Sequence, residues 1–162
     1  FETVVDCDID AYIPPSYIKN EYQKLDIYKR ISTIETDEEY MDMQDELLDR
    51  FGDIPKSVEN LLKIAMVRAL AHRAYVTEVF VNRQEIRLTM YQKAKLDVTR
   101  IPDFVQSYKG ELKLVPGETP VFHYVDRKNK NSDSLIMLEK ARTMLEQLGK
   151  LGQKEPGGNG AD

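Results

Sequence analysis

The chain has 162 residues, of which 41% are hydrophobic and 31% are charged, and its 28 acidic and 23 basic side chains give a formal net charge of -5. A chain of this length buries roughly 70% of the surface that its unfolded form exposes, so it needs neither disulfides nor a structural metal to hold a core. The acidic balance argues against a protein that coats DNA broadly. The single cysteine, Cys7, excludes an internal disulfide and indicates a reducing compartment.

Charge is distributed unevenly along the chain. Residues 1–53 carry fifteen acids and five bases, a net charge of -10, whereas residues 54–162 carry thirteen acids and eighteen bases, a net charge of +5. No apolar run approaches the ~20 residues of a membrane span, and the first residues lack the pattern of a secretory signal. We expect a cytoplasmic domain without membrane contact, and the absence of an initiating Met indicates a fragment of a longer protein.

The first 32 residues are predicted to form a strand and a helix. Residues 1–13 alternate between apolar or small side chains and acids, which is typical of a half-buried strand, and Pro14-Pro15 ends it. Ser16 is placed to cap a helix that runs to about Ser32. The predicted buried side of this helix includes Ile18, Tyr22, Leu25 and Tyr28.

Two further helices follow. The segment Thr36-Asp-Glu-Glu39 has the form of a capping box, which predicts a second helix to Phe51 with Gly52 as its stop. Pro55 fits the first turn of a third helix. Ten of the fourteen residues in 58–71 are apolar, so the third helix is predicted to be central and buried.

After Tyr75 the hydrophobic period changes to two, which predicts two hairpins separated by a short helix at 101–110. Their turns are expected near Asn82-Arg83 and Pro116-Gly117, and a last helix is expected between a Ser132 cap and Gly149. The predicted fold class is α+β, with an N-terminal strand, a three-helix segment, a mainly antiparallel sheet of hairpins with a short helix, and a C-terminal helix. We expect one domain over 1–149 and a flexible Gly-rich tail over 150–162.

No motif with catalytic spacing occurs in the sequence. There is no phosphate-binding glycine loop, no C-x-x-C and no H-E-x-x-H, and the two histidines, His72 and His123, lie in different predicted elements. A calcium loop beginning at Asp6 fails because Ala11 stands where the sharp turn needs glycine. We therefore assign no catalytic, cofactor-binding or metal-binding residues and expect no cofactor for this chain.

The second helix carries an unusual charge pattern. Its predicted outward stripe places like charges four residues apart, Asp42 with Glu46 and Asp45 with Asp49, each pair destabilising the helix by about 0.2–0.5 kcal/mol. Only Glu46 has a basic partner on the helix, Arg50. The stripe is either a solvated surface or a face that docks against a basic partner. The opposite apolar face is predicted to contain Tyr40, Met41, Met43, Leu47, Leu48 and Phe51.

A short basic segment offers an alternative function. Arg127, Lys128 and Lys130 lie close together in a predicted loop of the positively charged part of the chain. They are interpreted as a solvated loop or as a contact to phosphate, the second case giving a nucleic-acid-binding accessory domain. A hydrolase using N-terminal carboxylates such as Asp8 is a third alternative.

Several blocks in 11–74 resemble the C-terminal domain of the bacterial transcription-repair coupling factor (Mfd) family. The blocks are Ala11-Tyr-Ile-Pro-Pro-Ser-Tyr-Ile18, Leu25-Asp-Ile-Tyr-Lys-Arg-Ile31, Glu46-Leu-Leu-Asp-Arg-Phe-Gly-Asp-Ile-Pro55 and Val58-Glu-Asn-Leu-Leu-Lys-Ile-Ala65. One departure occurs at the end of the third predicted helix, where the resemblance leads us to expect glycine near position 75 and this chain has Tyr75.

This resemblance implies a function beyond the residues themselves. Members of the family are ATP-driven duplex-DNA translocases that dislodge stalled RNA polymerase and recruit the repair protein UvrA, with ATP and magnesium bound in other domains. The C-terminal domain is expected to be non-catalytic, and to pack on the N-terminal UvrB-like module and mask UvrA binding until stalled polymerase is engaged. By the same resemblance Glu46 and Asp49 are interface residues, with Asp42 and Asp45 as further candidates.

Overall fold

The structure is a computed structural model that describes residues 1–130 and 133–152. Its elements divide into two compact units, which we call the helical unit, Asp8–Ala69, and the sheet unit, Phe1–Cys7 with the chain from Leu70 onward. The helices are α1 (Glu21–Ser32), α2 (Asp37–Phe51), α3 (Lys56–Arg73), α4 (Ile101–Gln106) and α5 (Ser134–Gly149), and the strands are β1 (Val4–Cys7), β2 (Val76–Val81), β3 (Glu85–Met90), β4 (Leu112–Val115) and β5 (Val121–Val125). The predicted α+β class is confirmed.

The sheet unit is built on five strands in the order β1-β2-β3-β5-β4. β1 is parallel to β2, and every other neighbouring pair is antiparallel. Both predicted hairpins, β2 with β3 and β4 with β5, are therefore confirmed. The predicted strand over 1–13 was too long, because only Val4–Cys7 have a pairing partner in β2.

One face of this sheet is covered by α5, which packs against β2 and β3. The buried face of α5 consists of Met137, Leu138, Ala141, Met144, Leu145 and Leu148. Phe104 of α4 meets Phe122 of β5 edge-to-face, with ring centroids 5.4 Å apart, a geometry that aromatic pairs favour. These contacts make the core of the sheet unit.

The first helix begins later than predicted. The amides of Tyr17 and Ile18 both donate to the carbonyl of Pro14, at 2.9 and 3.2 Å, so this segment closes its own turn before the helix. Asn20 is the actual cap, its side-chain oxygen accepting from the Gln23 amide at 3.0 Å. The later start changes the buried face, which consists of Ile27 and Ile31. Tyr22 and Leu25, predicted to be buried, are 85% and 58% exposed.

The boundaries of the second and third helices follow the prediction. Thr36 caps α2 by accepting from the Glu39 amide at 3.1 Å. The Glu39 carboxylate returns to the amide of Glu35, at 2.8 Å, one residue before the position that a standard capping box uses. In α3 the buried side chains include residues on opposite sides of the helix, such as Leu62 and Val67, so the prediction that this helix is buried is confirmed.

Tyr75 ends α3 in a left-handed conformation, with φ of 62°. This region of backbone space costs roughly 1–2 kcal/mol for a residue with a Cβ atom, which is why glycine is common after helices. The expectation of glycine at this position therefore reflects a real backbone requirement, and the chain meets it with a tyrosine.

Residues 150–152 continue the folded chain past Gly149. Leu151 is buried, and its carbonyl accepts from the Asp97 amide at 2.8 Å. The predicted tail from 153 onward and the predicted Ser132 cap lie outside the described residues. α5 is capped instead by Asp133, whose carboxylate accepts from the Leu135 amide at 2.8 Å. The assignment of one domain to 1–149 stays a prediction.

Candidate functional site

The outward side of α2 is strongly acidic. Asp42, Asp45 and Asp49 are all exposed, and with Glu38 they form a continuous strip, which we call the acidic face. Within the part of the chain that the structure describes, none of the three aspartates has a basic nitrogen within 4.0 Å. The predicted interface residues Asp42, Asp45 and Asp49 are therefore brought together on one accessible surface.

Glu46 differs from these neighbours because it is already paired inside the helical unit. Arg30 of α1 donates to both of its carboxylate oxygens, at 2.6 and 2.5 Å, and Arg50 donates to one of them at 2.7 Å. The bidentate contact is the geometry in which arginine binds a carboxylate most strongly. Glu46 thus joins α1 to α2 and sits at the edge of the acidic face.

The electrostatics of Glu46 follow from these bonds. The hydrogen bonds from Arg30 and Arg50 hold the pKa of the Glu46 carboxyl at about 2, against an ordinary value of 4.5. The same bond raises the pKa of the Arg30 guanidinium. Arg50 was predictable as a partner because it lies four residues from Glu46 on the same helix, whereas Arg30 was not, because no local spacing connects two residues on different helices.

An apolar ridge flanks the acidic face on one side. Met41 is 57% exposed and Leu48 is 48% exposed, although both were predicted to lie on the broad apolar face opposite the acids. On an α-helix they lie about 100–120° from Leu47, which is fully buried at 0% exposure. The predicted apolar face was therefore too wide, and α2 presents acids and two large apolar side chains together to solvent.

The end of α2 is held in place by Tyr17. Its hydroxyl donates to the carbonyls of Leu47 and Gly52, at 3.2 and 2.9 Å, and its ring lies 5.8 Å from that of Phe51. Gly52 has φ of 88°, a left-handed value that suits glycine. These contacts hold the C-terminal end of α2, and with it the acidic face, in place within the helical unit.

The predicted phosphate contacts lie in the other unit. Arg127, Lys128 and Lys130 are exposed in the connection between β5 and α5, and all three line a surface groove of about 880 Å³. Lys109 and Lys140 line the same groove and were not identified from sequence, since they lie 18 residues before Arg127 and 10 residues after Lys130.

The described residues lack both a metal-binding cluster and a membrane-spanning helix. Among the described residues no group of three or more His, Cys, Asp and Glu side chains is arranged to hold a metal ion. No helix in 1–130 or 133–152 is long and apolar enough to cross a membrane. The acidic face of α2 and the groove lined by Arg127, Lys128 and Lys130 are two charged surfaces of the described chain.

The fold and this site define an α+β domain that presents a charged helical surface. The sequence profile of the TRCF domain family matches residues 7–101, more than half of the chain. The chain belongs to the TRCF domain family.

Individual relatives agree with this assignment. The chain is 40% identical over 98 residues to a transcription-repair-coupling factor of Bacillus subtilis (strain 168), a match that covers 60% of this chain and 8% of that protein. It is 42% identical over 76 residues to a transcription-repair-coupling factor of Staphylococcus aureus (strain USA300), covering 47% of this chain and 6% of that protein. The chain therefore spans less than a tenth of the length of these relatives.

A solved structure shows the same fold. The crystal structure of the C-terminal domain of a transcription-repair coupling factor superposes with a TM-score of 0.65, covering 90% of this chain and 94% of that one, at 24% sequence identity. This likeness covers a larger share of the chain than the family profile, which matches residues 7–101.

Proposed function

We propose that this chain is a non-catalytic regulatory domain of a transcription-repair coupling factor. In this proposal the acidic face of α2 packs on the N-terminal UvrB-like module of the same protein and masks UvrA binding until stalled RNA polymerase is engaged. Membership of the TRCF domain family and the names of the relatives support this assignment. The translocation of DNA, with its ATP and magnesium, belongs to other domains of the cytoplasmic parent protein.

The observation that carries the proposal is the uncompensated charge of the acidic face. Asp45 and Asp49 lie four residues apart on α2, a spacing that destabilises a helix by about 0.2–0.5 kcal/mol. A basic partner surface reverses the sign of this effect, because each carboxylate then gains a charge-assisted hydrogen bond. Charge complementarity of this kind sets the register and the encounter rate of an interface.

The apolar ridge and Glu46 contribute to the proposed interface in different ways. Met41 and Leu48 add area that is removed from water when the surface is covered, worth about 25 cal/mol per Å². Glu46, with both oxygens engaged by Arg30 and Arg50, acts chiefly by holding α2 in place. Asp45 and Asp49 are therefore the direct contacts, and Glu46 is a positioning residue.

A masking contact must also be weak enough to open. If the closed arrangement is favoured by about 2–4 kcal/mol, the open form is populated at roughly 3% down to 0.1%, and a partner that prefers the open form can shift the balance. A few partly exposed ion pairs together with two apolar side chains contribute a binding free energy of this size. A large apolar interface would hold the module closed permanently.

The experiment measures binding of the 162-residue chain to a separately expressed N-terminal UvrB-like module of a transcription-repair coupling factor. We expect binding that weakens with salt, and we expect the bound chain to reduce the affinity of the module for UvrA. The double variant Asp45→Lys/Asp49→Lys should weaken binding to the module at least tenfold and restore UvrA binding.

The matched control is Glu118→Lys, which reverses an exposed acid in the sheet unit and should leave both affinities unchanged. Circular dichroism and thermal unfolding establish that each variant is folded. The proposal is wrong if the double variant, still folded, binds the module as the unmodified chain does, or if the chain and UvrA bind the module at the same time without competition.

A further inference from the structure

The groove in the sheet unit gathers five cationic side chains from three separate segments. Lys109 lies between α4 and β4, Arg127, Lys128 and Lys130 lie between β5 and α5, and Lys140 lies on α5 itself. The groove is open to solvent and has a volume of about 880 Å³. This convergence is a product of the fold.

The groove is strongly positive in a chain whose net charge is -5. Its lining contains those five cations and two carboxylates, Glu111 and Glu139, a net charge of +3. Lys130 lies 3.9 Å from Glu111, and in the described ranges neither Lys109, Arg127 nor Lys128 has a carboxylate within 4.0 Å. At least three cations are therefore available to an anionic ligand.

The walls of the groove are held in a defined position. The Tyr108 hydroxyl donates to Gln147 of α5 at 2.5 Å, and burial raises the pKa of Tyr108 to about 12, so this donor keeps its proton. The Lys140 ammonium lies 5.2 Å from the centre of the Tyr124 ring, a cation–π contact. The connection that carries Lys109 is therefore joined to α5, and Lys140 is held against β5.

The backbone is strained at one of the five cations. Lys109 has φ of 53°, a left-handed value that glycine adopts at no cost and that a residue with a Cβ atom adopts at a penalty. Strained positions of this kind concentrate at functional sites. At position 109 the chain carries a cation on the rim of the groove where glycine is the more stable choice.

We propose that this groove binds the phosphate backbone of duplex DNA without regard to base sequence. A line of phosphates presents regularly spaced charges that suit cations placed along an open groove, and neutralising them releases condensed counterions. A protein interface is anchored by large side chains that fill pockets, whereas Ile136, 47% exposed, is the one large apolar side chain among the described lining residues that is exposed. The groove is independent of the acidic face, so this proposal stands or falls apart from the function proposed above.

The test titrates the 162-residue chain against two fluorescently labelled 20-base-pair duplexes of unrelated sequence. Non-specific binding of this kind has dissociation constants of roughly 1–100 µM at moderate salt, and three phosphate contacts give a slope of about -2.7 for the logarithm of affinity against that of salt concentration. Affinity should therefore fall about 40-fold between 50 and 200 mM salt, equally for both duplexes.

Two double variants separate the groove from general charge. Arg127→Ala/Lys128→Ala should reduce the salt slope by about 1.8. Lys93→Ala/Lys95→Ala removes the same charge from exposed positions that do not line the groove, and it should leave slope and affinity unchanged. Circular dichroism confirms that both variants are folded.

Three results would overturn the proposal. One is the absence of salt-sensitive binding at 100 µM chain and 50 mM salt. Another is an equal loss of affinity in the two double variants, which would assign binding to overall charge. The third is equally tight binding of a polyglutamate peptide of the same charge as the duplex, which would assign the groove to acidic polypeptides.

Discussion

At the scale of single residues, Glu46 decides how the acidic surface is held together. Its carboxylate is shared between Arg30 of α1 and Arg50 of α2, and it is 30% exposed. Removing the negative charge at this position therefore has two effects: it slightly reduces the charge of the outward surface, and it removes the charge-assisted hydrogen bonds of two arginines. The second effect lowers the free energy of unfolding. Its dependence on pH distinguishes it from the change in surface charge.

We predict that Glu46→Gln lowers the free energy of unfolding by about 1 kcal/mol at pH 7, the upper range for a partly exposed ion pair. The pKa of Glu46 is lowered from 4.5 to about 2 in the folded chain. A group whose folded pKa is depressed stabilises fully above its unfolded pKa and loses that contribution as pH falls. The difference between the variant and the unmodified chain should therefore be constant above about pH 5 and shrink towards zero near pH 2.

Urea unfolding at a series of pH values measures this difference. Asp49→Asn is the control, since Asp49 is exposed on the same helix and has no basic nitrogen within 4.0 Å in the described chain; its unfolding free energy should stay within about 0.5 kcal/mol of the parent. A loss of stability in Glu46→Gln that is the same at pH 7 and pH 2.5 would contradict the assigned role of the carboxylate.

At the scale of elements, α2 combines a buried and an exposed leucine at adjacent positions. Leu47 is 0% exposed and Leu48 is 48% exposed, although both are leucines in the same helix. We predict that Leu47→Ala costs about 2–4 kcal/mol of unfolding free energy, because it leaves a cavity in the helical unit. Leu48→Ala should cost less than about 0.5 kcal/mol.

Thermal and urea unfolding of both variants under the same conditions tests these two predictions. Because both variants replace a leucine of α2 by alanine, they change helix propensity equally, and each serves as a control for the other. If Leu48 belongs to the proposed docking surface, Leu48→Ala should also weaken binding to the N-terminal module while leaving stability intact. Equal destabilisation by the two substitutions would show that α2 is rotated relative to the orientation described here.

At the scale of the whole chain, the sheet unit depends on its first residues. β1 pairs with β2 in parallel register, Val5 beside Val79, across more than 70 residues of sequence. The Thr3 hydroxyl also donates to the carbonyl of Val76 at 2.7 Å. β1 thus precedes the helical unit in the sequence, whereas the other four strands of the sheet follow it.

We predict that a chain beginning at residue 8 is less stable by about 2 kcal/mol than one beginning at Thr3, because the edge of β2 loses several ladder hydrogen bonds worth about 0.5–1.5 kcal/mol each, with partial compensation by water. Exposure of that edge should also increase aggregation. Differential scanning calorimetry and light scattering compare the two chains. Equal midpoints and equal solubility would show that β1 contributes nothing to the fold.

The kinds of element, their order and most of their ends were predictable from local sequence patterns. Alternation, helical spacing, caps and turn residues act over a few neighbouring positions, so they can be read without a structure, as the hairpins, Thr36 and Gly52 show. The acidic face was predictable for the same reason. The first helix was misplaced because the turn closed by Pro14 competes locally with a Ser16 cap.

Contacts between residues far apart in the sequence were not predictable, because they depend on how the elements pack. The contact between Arg30 and Glu46, the pairing of β1 with β2, and the gathering of Lys109 and Lys140 beside the loop after β5 all join residues on different elements. The exposure of Met41 and Leu48 depends likewise on which side of α2 faces the core. Periodicity fixes a face only to within a broad arc, whereas packing selects the part of that arc that is removed from water.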